Sequence, residues 1–216
     1  MPAIDIIFED EHLLILNKPP GLLSVPGKTE PDCLHAHALA YNANIRVVHR
    51  LDMATSGIMI FAKSHNAQKE MGQLFEKRNI HKTYQAIIQG RPKFDSGSVE
   101  LPLICDWPNR PRQKVCFDTG KPATTQYSLQ THFEPKNVSL IKLSPITGRS
   151  HQLRVHCLEL GHPILGDNLY NIDDSHLRAP RLLLHATEIT FTHPLTGAAM
   201  KINHAADFEN LITQIT

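Results

Sequence analysis

Short apolar runs broken by turn-forming residues recur along most of this chain, and that pattern limits the fold more than any other feature. Ile4 to Phe8 and Leu13 to Leu16 flank the acidic Glu9-Asp10-Glu11, the pattern of a β-hairpin. Arg46 to Val48, Ile58 to Ala62, Tyr84 to Gln89, Thr124 to Thr131, Val138 to Leu143, Arg181 to Ala186, Glu188 to Thr192 and Ala198 to Ile202 read as further strands. Glu134-Pro135-Lys136-Asn137 would turn one pair of them into a second hairpin. Tyr84 to Gln89 alternates poorly and is expected to be buried on both faces. Helical spacing is found in Cys33 to Ala43, in the stretch capped by Ser64 that carries Ala67, Met71, Leu74 and Phe75, in Ser150 to Leu160 before Gly161, and in Ala206 to Ile215. Strands outnumber helices and most connections are hairpins, so the expected class is α+β, with a mixed, largely antiparallel sheet and flanking helices.

A length of 216 residues suits one domain, 1–216, that buries about 70% of its unfolded surface. Cys33, Cys105, Cys116 and Cys157 are scattered without paired spacing, which points to reduced thiols rather than to a zinc site or a disulfide framework. No basic-then-apolar leader and no apolar run near about 18 residues is present, so a cytoplasmic protein without a membrane span is expected. The 14 histidines include no HExxH or comparable pair on one helix face; the expected metal content is none.

A formal net charge of +1 lacks the strongly basic footprint of a typical nucleic-acid binder, so any such contact must rest on a local patch. Asp106 to Lys121 is the best one, with Arg110, Arg112, Lys114 and Lys121 against Asp106 and Asp118. Pro108 and Pro111 beside Trp107 favour an extended loop poor in hydrogen bonds, able to grip RNA through phosphate contacts and stacking. The competing reading is a solvated crossover with a packed Trp.

The stretch HRLDMATSG, His49 to Gly57, places Asp52 in a loop between two strand runs, where rigid scaffolds usually present functional groups. An Asp that merely caps a turn would look the same. Tyr84 at a strand start reads as packing with its hydroxyl toward water. Arg154 lies beside an apolar helical stripe and is either a snorkelling flank or a buried partner for a carboxylate. Lys18 reads as solvated, with RNA contact as the weaker alternative.

HRLDMATSG resembles the signature around the catalytic aspartate of pseudouridine synthases of the RluA type. NKPPGLLSVPG, KTY at 82–84, LPLICDWPNRPRQKVCFDTGKPA, PITGRSHQLRVH and RLLLHA agree with that family in order, and the middle stretch and short length are most similar to its branch with dual specificity for ribosomal and transfer RNA. The resemblance implies a bent sheet with a central catalytic cleft, no separate N-terminal RNA-binding domain, and isomerisation of uridine to pseudouridine in structured RNA without a cofactor. It assigns Asp52 as nucleophile, Tyr84 as the ring that stacks on uracil, Arg154 as the cation that holds Asp52 ionised, and Arg50 as the side chain that fills the gap left by an extruded base. Arg110, Arg112 and Lys114 would bind the RNA. The implied partners are large-subunit ribosomal RNA and the tRNA anticodon stem-loop, with no obligate protein partner. Two other classes use the same residues: a glycoside hydrolase built on Asp52, which normally needs a second carboxyl about 5 to 9.5 Å away, and a non-catalytic RNA-binding module built on the basic loop.

Overall fold

The computed structural model describes residues 4–215, so the expected bounds 1–216 reach past both ends of that range. In chain order the strands are β1 (Asp5–Glu9), β2 (Leu13–Lys18), β3 (Arg46–Val47), β4 (Ser56–Ala62), β5 (His81–Gln89), β6 (Ser96–Glu100), β7 (Leu103–Cys105), β8 (Gln113–Val115), β9 (Thr124–Phe133), β10 (Val138–Pro145), β11 (Leu184–Thr192) and β12 (Ala199–Asn203). The helices are α1 (Leu34–Tyr41), α2 (His65–Glu76), α3 (Gln152–Glu159) and α4 (Phe208–Gln214). The class is α+β with predominantly antiparallel pairing. The chain forms two compact units, Met1–Lys82 with His185–Ala206 and Thr83–Leu184 with Asp207–Thr216.

In the first unit the strand order is β1-β2-β4-β11, with β3 beside β4 and β12 beside β11. Every residue of β4 is buried, which explains its continuous apolar run. Leu13 and Ile15 of β2, Ile58 and Ile60 of β4, Met71 of α2, and Ile189 and Phe191 of β11 share one core. α2 enters that core from its Ser64 cap, whose hydroxyl accepts the Ala67 N–H at 3.1 Å. β4 and β11 run parallel, pairing Ser56 with His185 and Gly57 with Ala186. Gly57 makes this approach possible: its φ is +110°, and a Cβ there would lie 2.6 Å from the Ala186 nitrogen. The two strands expected over 181–192 are one strand, β11, because the polar Thr187-Glu188 interrupts the apolar pattern without interrupting the extended backbone.

In the second unit the order is β5-β10-β9-β6, all antiparallel, and β7 pairs with β8 separately. Only Ala86, Ile87 and Ile88 of β5 are fully buried, fewer than its apolar pattern suggested, and Tyr84 is half-buried opposite Leu143. The β9–β10 hairpin turns through Glu134–Lys136 and a left-handed Asn137 with φ 47°. β6, with the sequence SGSVE, is too polar to announce itself; its Val99 is the one buried position. The extended loop expected over 106–121 is instead partly ordered, with a 3-10 turn at Trp107–Asn109 followed by β8, which forms a three-pair ladder with β7. Asn109 closes that turn by donating to Asp106 Oδ2 at 2.8 Å. Trp107 is 65% exposed, so the packed-Trp reading fails.

Candidate active site

Asp52 lies between β3 and β4, and the turn-rich segment after β2 grips its loop by main-chain atoms. Ser24 Oγ donates to the Leu51 carbonyl at 2.6 Å and accepts the Leu51 N–H at 3.0 Å. The Met53 carbonyl accepts Gly21 N–H and Lys18 Nζ, each at 2.9 Å. Thr55 N–H closes a turn on the Asp52 carbonyl at 3.1 Å. The Ile60 N–H donates to His49 Nε2 at 2.9 Å, and the His49 ring packs 4.8 Å from that of Phe75. Desolvation pushes the His49 imidazole down to about 3, aided by the charge of Lys82, so its lone pair stays available to Ile60.

Lys18 corrects the sequence reading most sharply. It is 0% exposed, and Nζ donates to three carbonyls: Pro19 at 2.9 Å, Leu22 at 2.7 Å and Met53 at 2.9 Å. Three N–H donors meeting three acceptors is the arrangement that makes a buried ammonium tolerable. Burial pushes its pKa down to about 7 and the charge of Asp52 opposes the fall. A buried cation whose field acts on Asp52 belongs to the site rather than to the surface. Arg50 is exposed.

The second unit holds Tyr84, Arg154 and the basic segment. Much of the PITGRSHQLRVH stretch is scaffold for Arg154. Gln152 Oε1 accepts Thr147 Oγ1 at 2.7 Å and the Arg149 N–H at 3.0 Å, while its Nε2 donates to the Thr124 carbonyl and Thr125 Oγ1, each at 3.0 Å. That network ties the start of α3 to β9. Arg154, 4% exposed, is a buried partner for a carboxylate, and the snorkelling alternative is excluded. Its Nε and Nη2 donate to Asp167 Oδ2 at 2.7 Å and Oδ1 at 2.6 Å, a fork-on-fork pair. Asp167 is preset for this, since Oδ1 also accepts the N–H groups of Leu169 at 2.9 Å and Tyr170 at 3.0 Å. Gly166 before it has φ +74°, and a Cβ there would overlap the Arg181 carbonyl.

Arg112, although exposed, meets Arg154 at the ring of Tyr170, their guanidinium carbons 5.5 Å and 5.0 Å from its centroid. Arg110 lies over Trp107 at 4.5 Å, and Lys114 pairs with Asp106 at 3.4 Å. Sequence reasoning missed Asp167 and Tyr170. The available signal was Gly166-Asp167, a glycine followed by an Asp whose side chain can cap the next turn. The four cysteines are unbridged. Among the described residues no group of three or more His, Cys, Asp and Glu is arranged to hold a metal, and no helix is long and apolar enough to cross a membrane.

The family model described as RNA pseudouridylate synthase matches residues 12–159. The dual-specificity RNA pseudouridine synthase RluA of Escherichia coli is 48% identical over 209 residues, 96% of this chain and 95% of that protein. This chain belongs to the RNA pseudouridylate synthase family. The Haemophilus influenzae enzyme of the same name is also 48% identical, with the same coverage of each chain. Among solved structures, human RNA Pseudouridylate Synthase Domain Containing 1 superposes with a TM-score of 0.83 at 25% identity, over 95% of this chain and 84% of that one. Human RNA Pseudouridylate Synthase Domain Containing 4 gives 0.75 at 24% identity, over 94% and 89%, and shares the fold. Membership in this family sets aside the glycoside hydrolase and the binding module: the protein is a pseudouridine synthase, an isomerase acting on RNA.

Proposed function

We propose that this synthase modifies uridines in both large-subunit ribosomal RNA and the tRNA anticodon stem-loop, in the cytoplasm, with residues 1–216 acting as one catalytic domain and without a cofactor or an obligate protein partner. Support for the substrate pair comes from relatives named for dual specificity that match over nearly the full length of both chains. Support for the chemistry comes from one observation above all. The Asp52 loop is clasped by Lys18, Gly21 and Ser24, so the acid is presented from a rigid frame.

Asp52 acts as the nucleophile while the bond from ribose C1′ to uracil N1 breaks, the uracil turns, and C5 bonds to C1′ with loss of its proton to the medium and protonation of N1. The same acid serves attack at the sugar or at the base. Every atom of the uridine is retained, so no co-reactant is consumed. Tyr84 stacks on the uracil, and stacking of a base on an aromatic ring contributes about 1 to 3 kcal/mol. Arg154 serves as the cation of the reaction centre, and Arg50 occupies the space vacated by the flipped nucleotide. Arg110, Arg112 and Lys114 contact RNA phosphates, the one strongly basic stretch on a chain of net charge +1.

The decisive experiment is pseudouridine mapping of both RNA classes in cells lacking this chain and complemented with the parent or with Asp52→Asn. The expected result is sites lost from both classes, restored by the parent and not by Asp52→Asn. Loss from one class alone would overturn dual specificity, and restoration by Asp52→Asn would overturn the nucleophile.

A further inference from the structure

Tyr170 is used by nothing in the proposal above, yet it meets β8, the start of α3 and two of the arginines assigned there. The side chain is 1% exposed and sits in a small core with Leu103, Ala123 and Val155. Its phenolic oxygen accepts the Gln113 N–H, the first amide of β8, at 2.6 Å. The same oxygen lies 2.8 Å from His151 Nδ1, one residue before α3, with the two rings edge to face. With Gln113 as donor, the phenolic hydrogen is available to the His151 lone pair. Desolvation raises the phenol pKa, which keeps that hydrogen in place. One face contact supports Arg112 and another supports Arg154.

These contacts differ in what they hold. The hydroxyl ties down β8, which carries Lys114 and follows directly on Arg112, and reaches the start of α3 through the His151 side chain. The ring borders Arg154, which Asp167 also grips, and Asp167 is itself bonded to the Tyr170 N–H. We propose that Tyr170 is a positioning residue with two separable tasks: its hydroxyl sets the RNA-gripping strand β8 for substrate affinity, and its ring sets Arg154 for turnover. This rests on the roles proposed above for the basic strand and for Arg154.

The two tasks are separated by Tyr170→Phe and Tyr170→Leu, measured for KM, kcat and stem-loop affinity at fixed salt, with thermal unfolding giving the folded fraction. Tyr170→Phe removes the hydroxyl's two hydrogen bonds, and loss of the one that anchors the first amide of β8 should raise Kd and KM roughly three- to tenfold and leave kcat within about twofold. Tyr170→Leu should add a fall in kcat of about tenfold, because Arg154 loses its aromatic neighbour. In an Arg112→Leu background the affinity loss from Tyr170→Phe should shrink, since part of it passes through Arg112. Should Tyr170→Leu fail to fold, Tyr170→Phe and its cycle with Arg112→Leu decide alone.

Parent KM and kcat in the folded fraction of Tyr170→Phe would overturn the proposal. So would a fall in its kcat at unchanged KM, or strict additivity with Arg112→Leu. Affinity is read without catalysis, so a parent protein that binds the stem-loop but forms no pseudouridine would defeat the functional proposal while leaving the hydroxyl arm of this one measurable.

Discussion

The Asp52 loop and the Arg154 helix, one in each unit, offer different atoms to the scaffold around them. Around Asp52 the segment after β2 and the loop's own turn grip main-chain atoms: the Leu51 amide and carbonyl on Ser24, the Met53 carbonyl on Gly21 and Lys18, and the Asp52 carbonyl on Thr55. At Arg154 the side chain itself is gripped by both oxygens of Asp167 and bordered by Tyr170. Holding a residue by its backbone leaves its side-chain chemistry exchangeable without loss of the frame. Holding it by its side chain makes the residue part of the frame. Substitution at the two sites should therefore fail in different ways.

The largest effect is expected for Asp52→Asn, which should show no detectable single-turnover conversion while its Tm stays within about 2 °C of the parent and most RNA affinity remains. A variant that unfolds would break the contrast, because the Asp52 carboxylate would then be part of the scaffold. Arg154→Met should lose about 3 to 5 kcal/mol in denaturant unfolding, since Asp167 is left buried and unpaired. Adding Asp167→Leu should return part of that loss; a double variant less stable than Arg154→Met would show that Asp167 serves its turn more than the arginine.

Lys18 sharpens the comparison through pH. Its folded pKa of about 7 lies below the ordinary 10.5, so between those values the unfolded chain binds more protons and stability rises with pH. That contribution is complete above 10.5 and disappears as the pH falls through 7. Lys18→Met should remove a slope of at most about 1.4 kcal/mol per pH unit from the unfolding profile over this window. An unchanged profile would mean that the three carbonyls hold the ammonium charged throughout.

Arg50→Ala should reduce turnover on folded stem-loops roughly five- to tenfold, more than it weakens binding, because the side chain recovers part of the cost of flipping. Equal losses would make Arg50 an ordinary phosphate contact. Activity on a uridine-containing stem-loop should not change after dialysis against a strong chelator, given the absence of metal-ligand spacing in the chain. Turnover lost and then restored by one particular metal would contradict this, with RNA folding controlled separately.

The residues that were legible in the chain and those that were not differ in the range of their causes. The β1–β2 hairpin, the Ser64 cap and the strand after HRLDMATSG each follow from neighbours a few positions away, and each formed as expected. Lys18 was misread because a lysine ending an apolar run normally exits to water. Its acceptor on Met53 lies 35 positions further on, a distance over which no periodicity carries information. The β7–β8 ladder has three pairs and alternates too briefly to announce itself.

What the sequence determined by itself is the α+β class, most of the longer strands with the turns between them, and the motifs that place Asp52 between two strands, because apolar spacing and turn chemistry act over a few residues. What only the tertiary structure decided is how charges are matched: that Lys18 is buried against three carbonyls, that Asp167 takes the fork of Arg154, and that Tyr170 joins Arg112 to it. Such pairings depend on strand register and on the summed dihedrals of the intervening chain. They are selected because a buried charge without its partner is too costly to persist.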